Sequence, residues 1–362
     1  MARFKRWKLC LPIDMVMEVL CLLPVLSLIR FKCVCKTWLS IIEDPGFIKV
    51  HMDRSQIMAK KKTSLLMISK DAAYKSLPRF TSINFQYYLH MPLRFRVVGS
   101  CRGIICLIDR KQCYLWNPST MQSKQLPKYP GFYEKAALDY SHSRVQVGFG
   151  FDFVSNEYKV LRFICPYKDY KTTAVPISQL YSTGTNSWKV INFPDNSPLG
   201  FPILRLGPVI NGVLHMDYKK QVVSFDLHNE VFTVIPFPSS KIIKSNVLDF
   251  ESSVAVIFQS KKKKSRISLW TLADIHGKLF WTKKFDIVHR DIHWVNSYLG
   301  GGLLYGRKES SILYDYITND FKSFPRLVKA PEAVFKYTET LASVEGFRPS
   351  ISFLSKFYPP VK

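Results

Sequence analysis

The feature that most constrains the fold of this sequence is a motif that recurs five times between residues 114 and 325. Each copy has an apolar stretch with an aromatic residue, then a polar turn, then a second apolar stretch. The copies are YLWNPSTMQSKQLP, QLYSTGTNSWKVINFP, VSFDLHNEVFTVIPFP, SLWTLADIHGKLFW and ILYDYITNDFKSFP. Their first aromatic residues, at spacings of 65, 44, 45 and 44, are Trp116, Tyr181, Phe225, Trp270 and Tyr314. Short strands repeated at roughly this period are typical of β-propeller blades and not of helical solenoids.

The number of blades follows from the length of the repeat. At about 45 residues per blade, the region from Thr63 onward predicts about six blades. The first interval is longer and contains VGFGFDFVSNEYKVLRF, so we expect an inserted or irregular blade there. The ring is expected to close by pairing TSLLMIS near its start with ETLASVE near its end. The alternative is a series of open β-sandwiches.

The segment before the repeats has a different period. From residue 11 to residue 55 the pattern is helical, and it predicts helices at 13–23, 25–33, 35–43 and 46–54, with Asp14 as the cap of the first. The first helix is apolar on nearly every side, whereas a surface helix of a self-sufficient domain has a polar face. A module this small cannot cover itself, so it must pack against the rest of the chain or another protein. We therefore divide the chain into a helical module at 5–55, a basic linker at 56–62 and a propeller at 63–355.

The charge of the chain limits its partners. The 52 Lys and Arg residues against 27 Asp and Glu residues give a net charge of +25, which would attract nucleic acid, anionic lipid or an acidic protein surface. No zinc-finger, RNP or KH signature accompanies the charge, which makes nucleic acid the less favoured partner. The run at residues 261–264, four lysines, fits either a hairpin tip or a nuclear-import signal.

A membrane segment and a metal site are both disfavoured. The longest uncharged stretch near the N-terminus, at 19–29, has 11 residues and is too short to span a bilayer. The eight cysteines lie mostly in apolar runs and predict a reducing compartment. Cys33 and Cys35 lack a second ligand pair, so we interpret them as core thiols, and His289 and His293 lie in a strand-and-turn region. We predict no metal and no cofactor.

Catalytic motifs are also missing from the sequence. It contains no Gly-Xaa-Ser-Xaa-Gly elbow, Walker loop or HExxH helix. Acidic pairs such as Asp315 with Asp320, or Glu43 with Asp44, fall in predicted turns and helix ends, where solvation explains them. We therefore predict a protein without catalytic residues.

The stretch from Leu11 to Phe47 resembles an F-box of the plant type. The matching features are Leu11 with Pro12, the acid at Asp14, Leu23 with Pro24, Ser27 with Leu28, and the string RFKCVCKTW at 30–38. The remainder is similar to the F-box-associated region of plant F-box/kelch-repeat proteins, through GSCRGIICL, LWNPST, VGFGFDFVSNEYKV, LYSTGTNSWKVI, NGVLHM, VVSFDL and VFKYTETLASVEGF. The spacing and the last string also resemble S-locus F-box proteins of pollen self-incompatibility.

The resemblance implies an α plus all-β chain, with a three- or four-helix F-box followed by a kelch-like β-propeller. It implies that the F-box docks on a Skp-type adaptor, which connects to cullin and RING subunits, and that the propeller selects the protein to be ubiquitinated. Leu22 and Leu26 depart from the usual pattern by being apolar. The residues carried over as adaptor contacts are Leu11, Pro12, Ile13, Val16, Leu20, Leu23, Pro24, Leu28, Val34 and Trp38.

Three functions remain open at this point. The first is a non-catalytic substrate receptor of a ubiquitin ligase, cytoplasmic or nuclear, whose unidentified target has an acidic surface. The second is a basic propeller that binds nucleic acid or an acidic protein outside any ligase. The third is a propeller hydrolase, which would need an acidic pocket that the overall charge disfavours. Within the first function the S-locus role is a finer alternative, against which the charge argues, because the ribonuclease targets in that family tend to be basic.

Overall fold

The computed structural model describes residues 11–61, 64–69, 84–90, 95–109, 112–129, 143–166, 177–193, 205–218, 220–239, 242–260, 266–275, 278–288, 295–299, 302–306, 311–316, 318–323 and 333–349. Four helices come first: α1 Ile13–Cys21, α2 Val25–Phe31, α3 Lys36–Glu43 and α4 Pro45–Lys61. All four lie where the sequence predicts helices. The last is longer than predicted, so most of the residues expected to form a basic linker, 56–62, lie within α4.

Local chemistry sets the helix boundaries. Pro12 and Pro24 precede α1 and α2, while Asp14 lies in the first turn of α1 and does not cap it. The thiol of Cys35 accepts a bond from the Trp38 backbone N–H at the start of α3, 3.5 Å away. Asp44 Oδ1 accepts from the Phe47 N–H at 2.9 Å, and Pro45 takes the first position of α4, where no N–H is needed.

The helices enclose a small core of their own. Its buried members are Leu20, Cys21, Val25, Leu28, Ile41, Ile42 and Phe47, joined by Leu341 from the far end of the chain. His51 of α4 is also buried, and its Nε2 lies 2.9 Å from the Leu23 carbonyl oxygen just beyond α1. The module therefore completes its core with a residue that comes nearly 300 positions later.

The strands form six sheets. Five of them are built from four antiparallel strands that follow one another in the chain. The first two groups are β3 Arg96–Cys101, β4 Ile104–Ile108, β5 Cys113–Asn117 and β6 Gln122–Gln125, followed by β7 Ser143–Asp152, β8 Glu157–Pro166, β9 Ile177–Ser182 and β10 Ser187–Ile191. The other three groups are β11 Arg205–Ile210, β12 Val213–Tyr218, β13 Gln221–Asp226 and β14 Phe232–Pro236; then β15 Ile242–Phe250, β16 Ser253–Ser260, β17 Arg266–Ile275 and β18 Lys278–Val288; and last β19 Val295–Leu299, β20 Gly302–Gly306, β21 Ser311–Asp315 and β22 Asp320–Ser323. We name these blades 1 to 5.

The sixth sheet closes the arrangement. It joins β2 Asn84–His90, β1 Ser64–Ser69 and β23 Ala333–Lys336, so a strand from the start of the propeller pairs with one from its end. Pairing of start and end was predicted, but the partner of β1 is 333–336 and not ETLASVE at 339–345. A short last strand, β24 Arg348–Pro349, adds to β6 of blade 1.

Neighbouring blades touch through their first strands. The described contacts place β3 beside β7, β7 beside β11, β11 beside β15, β15 beside β19, and β23 beside β3.

The predicted combination of an N-terminal helical module with a β-propeller is confirmed. The long first repeat interval contains no extra sheet among the described residues. Its length reflects ten-residue strands β7 and β8 and the segments that flank them.

The five sequence repeats are the third and fourth strands of blades 1 to 5 with the turn between them. In blades 2 and 5 the tyrosine of the third strand donates a hydrogen bond across the turn, Tyr181 to Asn186 at 2.9 Å and Tyr314 to Asn319 at 2.7 Å. Both asparagines have positive φ, 49° and 59°, a conformation that asparagine tolerates better than most residues. The repeat therefore encodes one aromatic-anchored hairpin several times over.

No helix in the described ranges has the length and apolar character needed to cross a membrane.

A buried histidine makes blade 3 sensitive to acid. His215 on β12 is 6% exposed, and its Nδ1 lies 2.8 Å from the Ser224 hydroxyl. Burial lowers the pKa of His215 to about 4, partly offset by Asp249. Because the folded pKa lies below the unfolded value of about 6.5, the stability that the neutral imidazole contributes is present above pH 6.5 and is lost as pH falls toward 4.

We expect the contribution of His215 to the free energy of unfolding to fall by about 2 kcal/mol between pH 7 and pH 4.5. Chemical denaturation of the wild type and His215→Gln across this range measures it. The variant has no group that titrates at this position, so its curve should fall less steeply by this amount. Parallel curves would contradict the prediction.

Candidate partner-binding face

The helical module leaves large apolar side chains in solvent. Nine of the described ones are more than half exposed: Leu11, Ile13, Met15, Val19, Leu22, Leu26, Val34, and Val50 and Ile57 of α4. Met15, Val19 and Leu22 are spaced i, i+4 and i+7, so they share one face of α1. The opposite side of α1 carries Leu20 and Cys21 into the core. The helix is thus apolar on both faces, and only one of them is covered by the chain itself.

The predicted contact residues divide into three groups. Five are exposed: Leu11, Pro12, Ile13, Pro24 and Val34. Three are half-buried against the helical core: Val16, Leu23 and Trp38, the last with its ring centroid 5.1 Å from that of Phe31. Leu20 and Leu28 are 1% and 0% exposed. Leu20 and Leu28 therefore belong to the core of the module, which departs from their predicted role, and partner contact stays a proposal for the other eight.

Within residues 11–34, four exposed apolar residues were not predicted as contacts. Met15, Val19, Leu22 and Leu26 are all 54–59% exposed. The spacing of the first three along α1 was the signal that could have identified them. Leu22 and Leu26 stood out in the sequence only as unusually apolar, and the structure shows that this apolar surface faces outward.

The two neighbouring cysteines are not core residues. Cys33 and Cys35 are both exposed, contrary to the prediction that they are buried thiols, because they lie in the turn between α2 and α3. Cys35 has the structural task of capping α3. In the described part of the chain, no cluster of three or more His, Cys, Asp or Glu side chains is arranged to hold a metal ion. The HRDIH segment with His289 and His293 lies outside the described residues.

A segment near the C-terminus fastens the module to the propeller. We call residues 337–347 the strap. Its Leu341 packs in the helical core, while its Val344 packs in the core of blades 1 and 2. Asn117 of blade 1 donates from Nδ2 to the carbonyl oxygens of Thr340 at 3.0 Å and Ala342 at 2.8 Å. The strap therefore belongs to both cores at once.

The helical module also contacts the propeller directly, outside the strap. Arg102, in the turn between β3 and β4, pairs with Asp53 of α4 at 3.2 Å, and its side chain is only 8% exposed. Its guanidinium lies 4.7 Å from the ring centroid of Phe151 and 5.4 Å from that of Phe153, both of blade 2. A cation held between an acid and two aromatic rings is a stabilising arrangement. The module is thus positioned against blades 1 and 2, while its α1 apolar face points elsewhere.

Two protein families match separate parts of the chain. The F-box domain matches residues 9–49, and the F-box associated beta propeller domain matches residues 54–300. A putative F-box protein of Arabidopsis thaliana is 29% identical over 304 residues, covering 76% of this chain and 67% of the relative. A second putative F-box protein of that plant is 27% identical, covering 80% and 75%. An F-box/kelch-repeat protein of Arabidopsis thaliana is 28% identical, covering 76% and 79%.

Proposed function

Because the chain belongs to the F-box associated beta propeller family, with an F-box in front of the propeller, we propose that it is the substrate-recognition subunit of a Skp–cullin–F-box ubiquitin ligase. F-box domains bind Skp-type adaptors, and the adaptor connects to cullin and RING subunits. The ubiquitin-charged conjugating enzyme supplies the chemistry, so the receptor itself needs no catalytic residue. Its place of action is the cytoplasm or the nucleus, where these subunits meet protein targets.

The observation that carries this proposal is the exposed apolar face of the F-box. Its core is already filled by its own helices and by Leu341, yet seven large apolar side chains between Leu11 and Val34 remain more than half exposed. When a partner buries a further half of the surface of such a side chain, that side chain stabilises the complex by about 1 kcal/mol. An exposed apolar surface of this type, beside a core that is already filled, is characteristic of a site that binds another protein.

The adaptor contacts are proposed in two sets. Leu11, Pro12, Ile13, Pro24 and Val34 come from the sequence pattern, and their exposure is compatible with direct contact. Met15, Val19, Leu22 and Leu26 come from the structure alone. Val16, Leu23 and Trp38 support this face from beneath because they are half-buried.

We expect the double substitution Val19→Asp with Val34→Asp to weaken adaptor binding by about 100-fold or more. Two buried carboxylates in an apolar interface cost several kcal/mol, and both valines are more than half exposed, so folding is largely spared. Calorimetry with a purified Skp-type adaptor measures the affinity. The matched control is Val190→Asp with Val234→Asp, two exposed valines on the outer strands of blades 2 and 3.

The control pair should bind the adaptor like the wild type. Unchanged adaptor binding in the Val19 and Val34 variant, with an unchanged circular dichroism spectrum, would reject the proposal.

The target is proposed to be a protein with an acidic surface, in keeping with the net charge of +25. We do not assign a role in pollen self-incompatibility, since that charge opposes a basic ribonuclease target.

A further inference from the structure

Blade 4 has a long outer strand. β18 contains 11 residues, whereas the outer strands of blades 2, 3 and 5 contain 5, 5 and 4. β18 pairs with β17 on one side, and among the described strands none pairs with its other side. A strand in this position presents a row of backbone N–H and C=O groups to which another extended segment can add.

The other outer strands are less open to such an addition. In blade 1 the outer strand β6 is already covered by β24, where Arg348 pairs with Ser123 and Pro349 with Gln122. In blades 2, 3 and 5 the outer strands are short, and β14 ends in Pro236. Short strands and prolines are common protections of a sheet edge. β18 is long and contains no proline, so it lacks both protections.

A bulge limits the straight part of this edge. The register of β17 with β18 shifts between Leu269, which faces Phe285, and Trp270, which faces Lys283, so Lys284 is the extra residue. A bulge bends the strand that contains it. The straight part is residues 278–283, about 20 Å long at about 3.4 Å per residue. We call this stretch the blade 4 edge.

The blade 4 edge exposes apolar side chains and is held in place from behind. Leu279 and Phe280 are each 47% exposed, and as neighbours in a strand they point to opposite faces of the sheet. Trp281 is half-buried against the core that blades 3 and 4 share, and its Nε1 donates to the Pro236 carbonyl oxygen at 2.8 Å. The edge is therefore preorganised, which lowers the cost of binding.

The charges beside this edge are positive. Lys278 and Lys284 are exposed, and the hydrogen bonds and ion pairs of the described residues include neither of them. Lys283 is already engaged, because its Nζ lies 2.7 Å from Asp286. Two lysine charges therefore face solvent at the ends of the edge. They oppose a second copy of this chain, because antiparallel pairing of two such edges about their centre places Lys278 opposite Lys283.

We propose that the blade 4 edge is a docking site for the target, which adds an extended segment as a fifth strand of this blade and places acidic side chains near Lys278 and Lys284. This deepens the proposed function and rests on it, because the receptor of a ubiquitin ligase must hold a protein. A row of backbone donors and acceptors is matched by another polypeptide and not by nucleic acid. Main-chain hydrogen bonds supply the affinity, and the side chains beside them select the sequence.

The first test changes the ligand and leaves the protein intact. The full chain, bound to its Skp-type adaptor, is titrated with a fluorescent ten-residue peptide of alternating Glu and Val. A second peptide of the same sequence carries an N-methyl group on every residue, so it keeps each charge and loses the N–H groups that a strand needs. It should bind about 10-fold more weakly or worse.

The second test changes the protein. Lys278→Gln with Lys284→Gln should weaken binding of the unmethylated peptide about 5-fold at low salt, and by less as the salt concentration rises. The matched control, Lys128→Gln with Lys189→Gln, removes two exposed lysines from blades 1 and 2 and makes the same change in net charge. It should weaken binding less than about 2-fold, because neither lysine lies beside the blade 4 edge.

Three outcomes would overturn the inference. Equal binding of the two peptides would exclude a strand ladder, and equal losses in the two lysine variants would show a response to net charge alone. Self-association of the wild type that the Lys278 and Lys284 variant strengthens, without peptide binding, would assign the edge to a second copy of the chain. Adaptor binding, measured on the same samples, stays intact in each case, whereas its absence in the wild type would count against the proposed function itself.

Discussion

Replacing Lys159 with methionine is expected to lower the free energy of unfolding by about 3–5 kcal/mol, because it leaves a buried carboxylate without its cation. Lys159 Nζ lies 3.1 Å from Asp152 Oδ2, whose side chain is 0% exposed, and 3.3 Å from Glu230 Oε1. The same ammonium donates to the Leu227 carbonyl oxygen at 2.5 Å, so one lysine of blade 2 holds the β13–β14 turn of blade 3. Its loss should loosen the joint between the two blades.

The ionised state of Asp152 is what makes this loss large. Burial alone would raise the pKa of Asp152, but hydrogen bonds from the Ser155 hydroxyl, the Val154 and Ser155 N–H groups and Lys159 outweigh it and hold this pKa well below its ordinary value. Since the folded pKa is lowered, this contribution is present at neutral pH and is lost only as pH falls below about 4. The carboxylate therefore stays charged in the variant under ordinary conditions.

Denaturation at pH 7 measures the effect, and Lys189→Met provides the control. Lys189 pairs with the same Glu230, but its side chain is 57% exposed, so its removal should cost less than about 1 kcal/mol. The double variant Asp152→Asn with Lys159→Met should recover part of the loss, because the buried charge is gone. Equal effects of Lys159→Met and Lys189→Met would contradict this account.

Gly103→Val is expected to destabilise the junction between F-box and propeller by about 4 kcal/mol or more. Gly103 has a φ of +77°, which a β-branched residue rarely adopts. A Cβ at this position would lie 2.4 Å from Thr340 Cγ2 and 2.5 Å from the Thr338 carbonyl oxygen, so the strap must move. Displacing the strap also withdraws Leu341 from the F-box core.

Hydrogen exchange together with denaturation tests this second prediction. Amides of residues 337–347 and of α4 should exchange faster in Gly103→Val. The matched control is Gly99→Val on β3, where a Cβ would meet nothing within 4 Å and the backbone is extended, so its cost should stay within about 1 kcal/mol. If amide hydrogen exchange and the free energy of unfolding are the same in both valine variants, the position of the strap does not depend on its close approach to Gly103.

The parts of the fold that are local in sequence were predictable. The aromatic residues of the repeats are buried at Trp116, Tyr181, Phe225 and Tyr314, because each sits on a strand of an internal hairpin. The starts of the helices follow from Pro24 and Pro45, since proline is tolerated there and not further inside. These signals act over a few residues, so a single sequence carries them in full.

What depends on long-range packing was not predictable. The sequence does not say which apolar side of α1 or of α2 turns inward, so the F-box pattern predicts Leu20 and Leu28 as contacts although they fill the core. The partner of β1 lies some 270 residues away, and the segments 333–336 and 339–345 are both plausible partners by composition.

The strap has a consequence for the order in which the protein is made. The F-box helices leave the ribosome first, but their core is incomplete until Leu341, about 290 residues after Phe47, has also been synthesised. At about 5–20 residues per second this is a delay of about 15–60 s. A chain that stops early lacks β23, which closes the ring, and Leu341, which fixes the F-box. Completion of synthesis is therefore the step that joins the F-box to a closed propeller.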